Sequence, residues 1–180
     1  AGPSLFTQPQ NIEELFLDAG EPITAYFNYK PLKVACNYFF ETGKTILAYT
    51  DANDFAEELH QNTGESKKAV LAYLANSKKL YNNIGTVFIN HSLHKPGTWL
   101  HKRIFSALKT VKFSYLFKSL HQYNTNKFTT PEARQIFDRF ATYNGSNPYK
   151  APAMLSLIPH LELNEGTFYP AGGMISITNA

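Results

Sequence analysis

Histidines are the residues of this sequence that most readily suggest a metal or catalytic site. His91, His94 and His101 lie close together, and the first two are spaced to share one face of a helix. No Asp or Glu occurs within residues 67–130, so no carboxylate is available there to orient an imidazole, and the lysines of this stretch would repel a cation. The sequence therefore predicts no metal site, and histidines at the surface or satisfied within the core are the simpler interpretation.

The candidate nucleophiles lack neighbours that would activate them. Cys36 lies in an aromatic segment without a basic neighbour in sequence, which favours a packed thiol over a reactive thiolate. Ser4 and Ser176 are not part of a nucleophile-elbow motif. The residues themselves identify no catalytic group.

A pair of adjacent glycines is a motif of a different kind. Gly172 and Gly173 separate an aromatic extended segment from an apolar stretch that begins at Met174, so the backbone here can approach a flat or charged ligand closely. The pair is not the dinucleotide fingerprint, which needs a third glycine and a preceding buried strand. A simple turn and a ligand-contacting loop both explain it.

The charge of the chain is unevenly distributed. The net charge is +3, yet every Asp and Glu lies outside residues 67–130, and basic residues there alternate with aromatic ones. Such a segment can bind nucleic acid, bind an anionic membrane surface, or present a solvated face with no partner.

Residues 99–117 alternate apolar and basic side chains at helical spacing. A basic face beside aromatic rings suits a helix that lies on an anionic membrane, because the lipids attract Lys and Arg while the rings enter the acyl boundary. An amphipathic core helix with a solvated face explains the same pattern. The residues that the membrane hypothesis assigns to the surface are Trp99, Lys102, Arg103, Phe105, Lys109 and Lys112.

The elements that must position these residues follow from composition and periodicity. The 180 residues are 43% hydrophobic and 17% charged, which excludes disordered and collagen-like classes. No run approaches the ~20 apolar residues of a membrane-spanning helix, which favours a soluble or peripheral chain.

Strands are predicted in three runs within residues 26–49, the last two joined by a hairpin turn at 41–44. Helices are predicted at 11–19, from a cap at residue 53 or 54 to 60, from 65 or 66 to 80, at 99–108 and at 111–123. Another helix is predicted to start at Pro131, with Ala133, Ile136, Phe137 and Phe140 facing the core. The last predicted helix covers 152–163 and is bent or broken at Pro159, and a further extended segment is predicted at 166–170. The sequence thus predicts an α+β fold in which a small antiparallel sheet is covered by several helices.

Both ends of the sequence suggest a piece of a larger protein. Ala1 is not an initiator methionine, and residues 1–4 have the composition of a turn with no element before it. After Gly173 an apolar, helix-like run begins and then stops.

Three motifs in this order resemble the phytoene desaturase family, the FAD-dependent carotenoid dehydrogenases of the amine-oxidase type. They are residues 1–4 (AGPS), 142–148 (TYNGSNP) and 168–174 (FYPAGGM). The hairpin at 41–44 and the long helix that begins near residue 65 also fall in the family's order, so the resemblance extends over essentially the whole chain.

The resemblance implies that residues 1–180 are a substrate-binding domain, inserted into an FAD-dependent amine-oxidase-like fold whose flanking FAD-binding Rossmann segments are absent here. In the family, the head turn and the tail loop lie near the flavin. The cofactor-binding residues implied in this chain are Gly2, Pro3, Ser4, Gly172, Gly173 and Met174. FAD is expected in the full-length protein and not on this fragment, which should be inactive alone. The resemblance assigns no catalytic residue.

The implied activity is dehydrogenation of a long polyene such as phytoene in carotenoid biosynthesis, with the flavin accepting hydride. The implied setting is cytoplasmic, peripheral on the inner face of the membrane. A high aromatic content, 14%, suits this activity because a hydrocarbon must be held by apolar area. The alternative is a basic nucleic-acid-binding module, but the aromatic residues follow helical packing spacing and not that of a stacking platform.

Overall fold

The computed structural model describes residues 5–85 and 114–180. The chain forms two compact units, Ala1–Phe55 with Leu161–Ala180, and Ala56–His160. The described α-helices are Gln10–Asp18 (α1), Ala52–Thr63 (α2), Lys67–Leu80 (α3), Ser114–Phe117 (α4), Leu120–Thr125 (α5), Pro131–Asp138 (α6), Pro159–Leu163 (α7) and Ile175–Asn179 (α8). The described strands are Tyr29–Pro31 (β1), Val34–Phe39 (β2), Thr45–Tyr49 (β3) and Phe168–Pro170 (β4). Short 3₁₀ turns cover Ile23–Ala25, Arg139–Asn144 and Ala153–Leu157, and a π-helical turn covers Tyr81–Gly85. The predicted α+β class is confirmed.

The first unit contains two separate strand pairs, which corrects the prediction of one small sheet. β2 and β3 form the predicted antiparallel hairpin, with Gly43 in its turn at a φ of 80°. β1 pairs antiparallel with β4, placing Tyr29 opposite Pro170 and Pro31 opposite Phe168. Both β1 and β4 end in proline, which has no N–H to extend a ladder, so this pair stays short.

The start of the first unit follows the predicted pattern in part. α1 lies within one residue of the predicted helix at both ends, and Gly20, at a φ of 74°, follows its last turn. Its apolar residues are not buried: Leu15 is 67% exposed and Leu17 is 76% exposed. The first predicted strand begins only at Tyr29, because the N–H of Tyr26 donates to Ile23 O and closes a 3₁₀ turn.

The described part of the second unit is helical, and aromatic residues fill its core. Phe137 of α6 stacks on Phe128 with ring centres 4.5 Å apart and planes 14° apart. The Tyr73 ring of α3 packs against the same Phe137 ring, with ring centres 4.5 Å apart. The four residues predicted to face the core are all buried: Ala133, Ile136, Phe137 and Phe140.

Side-chain caps fix where the helices begin. Ser66 Oγ accepts the N–H of Ala69 at the start of α3, which the sequence placed at residue 65 or 66. Thr130 Oγ1 accepts the N–H of Ala133, and α6 begins at Pro131, where the sequence predicts its start. α2 is capped instead by Asp51, whose Oδ1 accepts two N–H groups at 2.8 and 3.0 Å, so the predicted cap at residue 53 or 54 is wrong.

The helix predicted at 111–123 is interrupted in its described part. Ser119 starts α5 with a capping box: its Oγ accepts the N–H of Gln122, and the Gln122 side chain accepts the N–H of Ser119. α4 therefore ends at Phe117. The break predicted at Pro159 within 152–163 is confirmed: the 3₁₀ turn comes first, and α7 begins at Pro159.

Candidate functional site

The glycine pair forms a turn directly after β4. Gly172 and Gly173 have φ values of 85° and 83°, in the left-handed region where other residues are strained. The N–H of Gly173 donates to Pro170 O at 2.9 Å and closes the turn. Gly173 O in turn accepts from Ser176 Oγ at 2.7 Å, which ties the turn to the start of α8. The prediction of a turn is confirmed, and its contact with a cofactor stays a prediction.

The surroundings of this turn are open. A Cβ added to Gly172 would meet Ser176 Cβ at 3.7 Å, and one added to Gly173 would meet Tyr169 Oη at 3.6 Å, both ordinary contacts. Glycine is therefore required by backbone conformation and not by crowding. Gly172 is exposed, and Gly173 and Met174 are half-buried. A flat group such as a flavin ring could therefore lie against this backbone without meeting a side chain of the turn.

Aromatic packing positions the strand that leads to the turn. The N–H of Phe168 donates to Phe6 O at 2.8 Å, so Phe6 and β1 both pair with β4. Ring centres lie 5.6 Å apart for Phe6 and Tyr29, and 5.5 Å apart for Tyr29 and Phe168, both edge to face. The Tyr29 hydroxyl also donates to the Glu13 carboxylate, which links β1 to α1. This hydrogen bond, followed by burial, raises the pKa of Tyr29 to about 12.

The head of the chain meets this site through Phe6. Gly2, Pro3 and Ser4 lie outside the residues that the structure describes. Phe6 pairs with Phe168, four residues before Gly172. The described residues that follow the head motif are therefore next to the strand that leads into the tail motif.

The predicted membrane-facing residues are not part of the described chain. Trp99, Lys102, Arg103, Phe105, Lys109 and Lys112 lie between residues 86 and 113, and so do His91, His94 and His101. Within 5–85 and 114–180, the helices are too short or too polar to cross a membrane. The same described ranges hold no group of three or more His, Cys, Asp or Glu that could bind a metal.

Sequence reasoning missed a buried polar network in the second unit. His121 Nδ1 lies 2.6 Å from Asp138 Oδ2, and Asp138 Oδ1 accepts from Asn124 Nδ2 at 2.7 Å. Asn124 Oδ1 accepts the hydroxyl of Tyr73 at 2.8 Å. The Tyr149 ring covers His121, with ring centres 4.3 Å apart. The network orients an imidazole and joins α3, α5 and α6. Its members come from remote parts of the chain, so no spacing in the sequence could have signalled it.

Comparison with known proteins links the chain to enzymes of carotenoid metabolism. It is 40% identical over 179 residues to a 1-hydroxycarotenoid 3,4-desaturase of Flavobacterium sp. (strain P99-3), which covers 99% of this chain and 36% of that protein. It is 28% identical over 179 residues to a 4,4'-diapolycopene oxygenase of Methylomonas sp., covering 99% of this chain and 36% of the relative. It is 26% identical over 186 residues to a hydroxyneurosporene desaturase of Rubrivivax gelatinosus, covering 100% of this chain and 34% of the relative. No protein-family model matches the chain.

These relatives bear on the two functions that the sequence left open. The chain spans about a third of the length of the curated relatives it matches. Their names refer to carotenoid chemistry, and nothing in the comparisons supports a nucleic-acid-binding module. The resemblance found in the motifs is confirmed: over nearly its whole length, the chain is a homologue of the carotenoid desaturases.

Proposed function

We propose that this chain is the substrate-binding domain of an FAD-dependent carotenoid desaturase that dehydrogenates a long polyene in carotenoid biosynthesis. The observation that carries the proposal is the 40% identity over 179 residues to a 1-hydroxycarotenoid 3,4-desaturase. A second relative, a hydroxyneurosporene desaturase, aligns with the full length of this chain. In this proposal, residues 1–180 are inserted between flavin-binding segments of a longer protein.

The tail turn is suited to a flavin. Gly172 and Gly173 offer an exposed or half-exposed backbone with no Cβ, as a close approach to a flat ring requires. The residues that would contact FAD are Gly172, Gly173 and Met174, together with Gly2, Pro3 and Ser4 of the head motif. FAD supplies the hydride acceptor when bound. The task of this chain is then to hold the polyene in place and to keep water from it, which apolar contact area can accomplish.

The proposed substrate dissolves in membranes, so the domain must collect it there. We propose a cytoplasmic protein, peripheral on the inner face of the membrane. The docking residues in this proposal are Trp99, Lys102, Arg103, Phe105, Lys109 and Lys112. Support comes from their sequence pattern, in which basic residues alternate with aromatic and aliphatic ones.

Expression of the longer protein in a phytoene-producing host tests the enzymatic proposal, with a parallel host that makes 1-hydroxycarotenoids. We expect a new pigment with additional conjugated double bonds, identified by chromatography, absorbance and mass, in at least one host. Unchanged pigments in both hosts, with folded and flavin-containing protein present, would contradict the proposal.

The cofactor role of the turn has a matched control in the same unit. Gly173→Ala places a Cβ at a φ of 83°, and Gly20→Ala does so at a φ of 74° in open space. Each should cost about 1–2 kcal/mol of stability from backbone strain. We expect only Gly173→Ala to lower the flavin content of the purified longer protein, measured by absorbance per folded molecule. Equal flavin content in the two variants would remove the turn from the cofactor site.

A further inference from the structure

A groove in the second unit has lysines on its rim and tyrosines on its floor. Its volume is about 690 Å³. α3 forms one wall through Lys68, Tyr73 and Asn76, which helical spacing brings to one face. The described residues that line the groove are Ser66, Lys68, Ala69, Ala72, Tyr73, Asn76, Tyr115, Lys118, Tyr123, Asn126 and Lys127. None of these lining residues is acidic.

The three lysines keep their charge available. Lys68, Lys118 and Lys127 are exposed. Within residues 5–85 and 114–180, no carboxylate forms an ion pair with any of the three. Lys127 instead lies over the ring of Tyr123, with its Nζ 5.5 Å from the ring centre. The rim is therefore a cluster of positive charge without a counter-ion among the described residues.

The floor of the groove has one hydroxyl proton more than its internal hydrogen bonds use. Asn76 Nδ2 donates to Tyr115 Oη at 2.9 Å and to Tyr123 Oη at 3.3 Å, so both hydroxyls act as acceptors. The two hydroxyls lie 3.4 Å apart, a contact that uses one of their two protons. The described residues offer no acceptor for the second proton. Tyr115 is 3% exposed and Tyr123 is 8% exposed, so this proton belongs to a buried group that borders the groove.

The Tyr123 hydroxyl keeps its proton at physiological pH. Burial, followed by the hydrogen bond with Tyr115, raises the pKa of Tyr123 above its ordinary value. The tyrosine pair therefore remains a hydrogen-bond donor, and a ligand oxygen that carries negative charge is the acceptor that such a donor binds most strongly.

We propose that this groove binds a phosphate group, with Lys68, Lys118 and Lys127 balancing its charge and one floor hydroxyl donating to a phosphate oxygen. A phosphate suits the site better than a carboxylate because it carries up to two negative charges and several acceptor oxygens. A carotenoid hydrocarbon carries no such group, so this ligand is distinct from the proposed polyene substrate. The phosphate can belong to an anionic lipid headgroup or to a soluble phosphate ester.

Titration of the whole chain with inorganic phosphate, followed by amide NMR shifts, tests the proposal. We expect saturable shifts around Asn76, Tyr115 and Lys118, and weaker binding as NaCl is raised. Replacing Lys68, Lys118 and Lys127 together by Gln should weaken binding by about tenfold or more. The matched control replaces three exposed lysines outside the groove by Gln, with the same change in net charge: Lys78, Lys79 and Lys150.

The floor is tested separately by the double variant Tyr115→Phe and Tyr123→Phe, which removes both hydroxyls and keeps both rings, because either hydroxyl alone could donate its proton to the ligand. We expect binding several-fold weaker with unchanged salt dependence, because no charge is removed. Thermal melts establish that each variant is folded. Vesicles of phosphatidic acid, compared with vesicles of neutral phosphatidylcholine, identify the source of the phosphate. Binding to the phosphatidic acid vesicles that free phosphate displaces indicates a lipid headgroup. Binding of inorganic phosphate without binding to either vesicle indicates a soluble ester.

Several results would overturn the proposal. They are the absence of saturable shifts in the folded wild-type chain, an equal loss in the control and groove variants, and no loss in the double tyrosine variant. Binding to single-stranded DNA that increases with strand length, without competition by free phosphate, would instead indicate a nucleic-acid surface. None of these measurements depends on flavin or on carotenoid turnover, so this proposal and the proposed function can fail separately.

Discussion

Replacement of Glu65 tests how a buried carboxylate connects two remote segments of the second unit. Glu65 lies in the connection between α2 and α3 and is fully buried. Glu65 Oε2 accepts the N–H groups of Thr129 at 2.8 Å and Thr130 at 2.9 Å, and Oε1 accepts the N–H of Ser66 at 3.0 Å. The Thr130 hydroxyl adds a bond of 3.0 Å. Because Thr130 caps α6, the negative charge also lies at the positive end of that helix.

The size of the effect follows from these contacts. Glu65→Gln keeps the shape of the side chain but leaves one acceptor oxygen, so its NH₂ group must face at least one buried N–H. A hydrogen bond to a charged group contributes about 1.5–3 kcal/mol, and a buried donor without an acceptor costs about 1–3 kcal/mol. We expect Glu65→Gln to lower the free energy of unfolding by about 3 kcal/mol, measured by urea denaturation near neutral pH.

The same carboxylate predicts a dependence on pH. Burial alone raises the pKa of Glu65, but the hydrogen bonds from Thr130, Ser66 and Thr129 outweigh burial and lower this pKa below its ordinary 4.5. The unfolded chain then binds a proton at higher pH than the folded chain does. The contribution of Glu65 is therefore complete above the unfolded pKa and is lost as pH falls through the lowered folded pKa. The difference in the free energy of unfolding between wild type and Glu65→Gln should therefore decrease as pH falls from the unfolded pKa to the folded pKa of Glu65.

Glu57→Gln is the control, because it removes a carboxylate from the same unit whose ion pair with Lys67 is exposed. Exposed ion pairs contribute little to stability, so this variant should resemble wild type. The argument would be refuted if Glu65→Gln lost no more stability than Glu57→Gln. It would also be refuted if the difference between Glu65→Gln and wild type stayed constant down to acidic pH.

Two further predictions concern the same unit. Phe137→Ala should lower the free energy of unfolding by about 3–5 kcal/mol, because the ring is fully buried and stacks on Phe128. Phe117 is 69% exposed, so Phe117→Ala should change the free energy of unfolding little, and chemical denaturation of both variants tests this. Burial, followed by the charge of Lys78, lowers the pKa of His160 below 6.5, so its NMR titration midpoint should lie below that value. The contribution of His160 to stability is complete above pH 6.5 and is lost as pH falls through the lowered folded pKa; a midpoint at or above 6.5 would contradict this reasoning.

Local signals predicted what depends on neighbouring residues. The β2–β3 hairpin depends on a short turn with Gly43, and the start of α6 depends on Thr130 and Pro131, so both could be read from a few adjacent positions. Hydrophobic periodicity also identified the buried face of α6, because a 3.6-residue repeat specifies which side chains point inward.

Features that depend on remote partners could not be predicted in this way. Periodicity shows that a face is buried but does not identify what covers it. The pairing of β1 with β4, and the binding of Thr129 and Thr130 by Glu65, join positions far apart in sequence. The groove has the same origin, since Lys68 and Lys118 line it together only because α3 packs beside α4. The acid-free composition of residues 67–130 indicated positive charge, but only the fold gathers three of those lysines around a tyrosine floor.

The proposed activity explains why the sequence contains so few candidate catalytic groups. Transfer of hydride from a hydrocarbon to a flavin makes few demands on acids, bases or nucleophiles of a substrate domain, whose contribution is apolar area and position. Two buried carboxylates of the described chain have structural partners: Asp138 lies against His121, and Glu65 accepts the N–H of Thr130 at the start of α6. The lysine groove differs because its positive charges have no counter-ion among the described residues and cannot contribute to binding a hydrocarbon. A phosphate bound there would therefore indicate a second ligand, with recognition chemistry separate from that of the polyene.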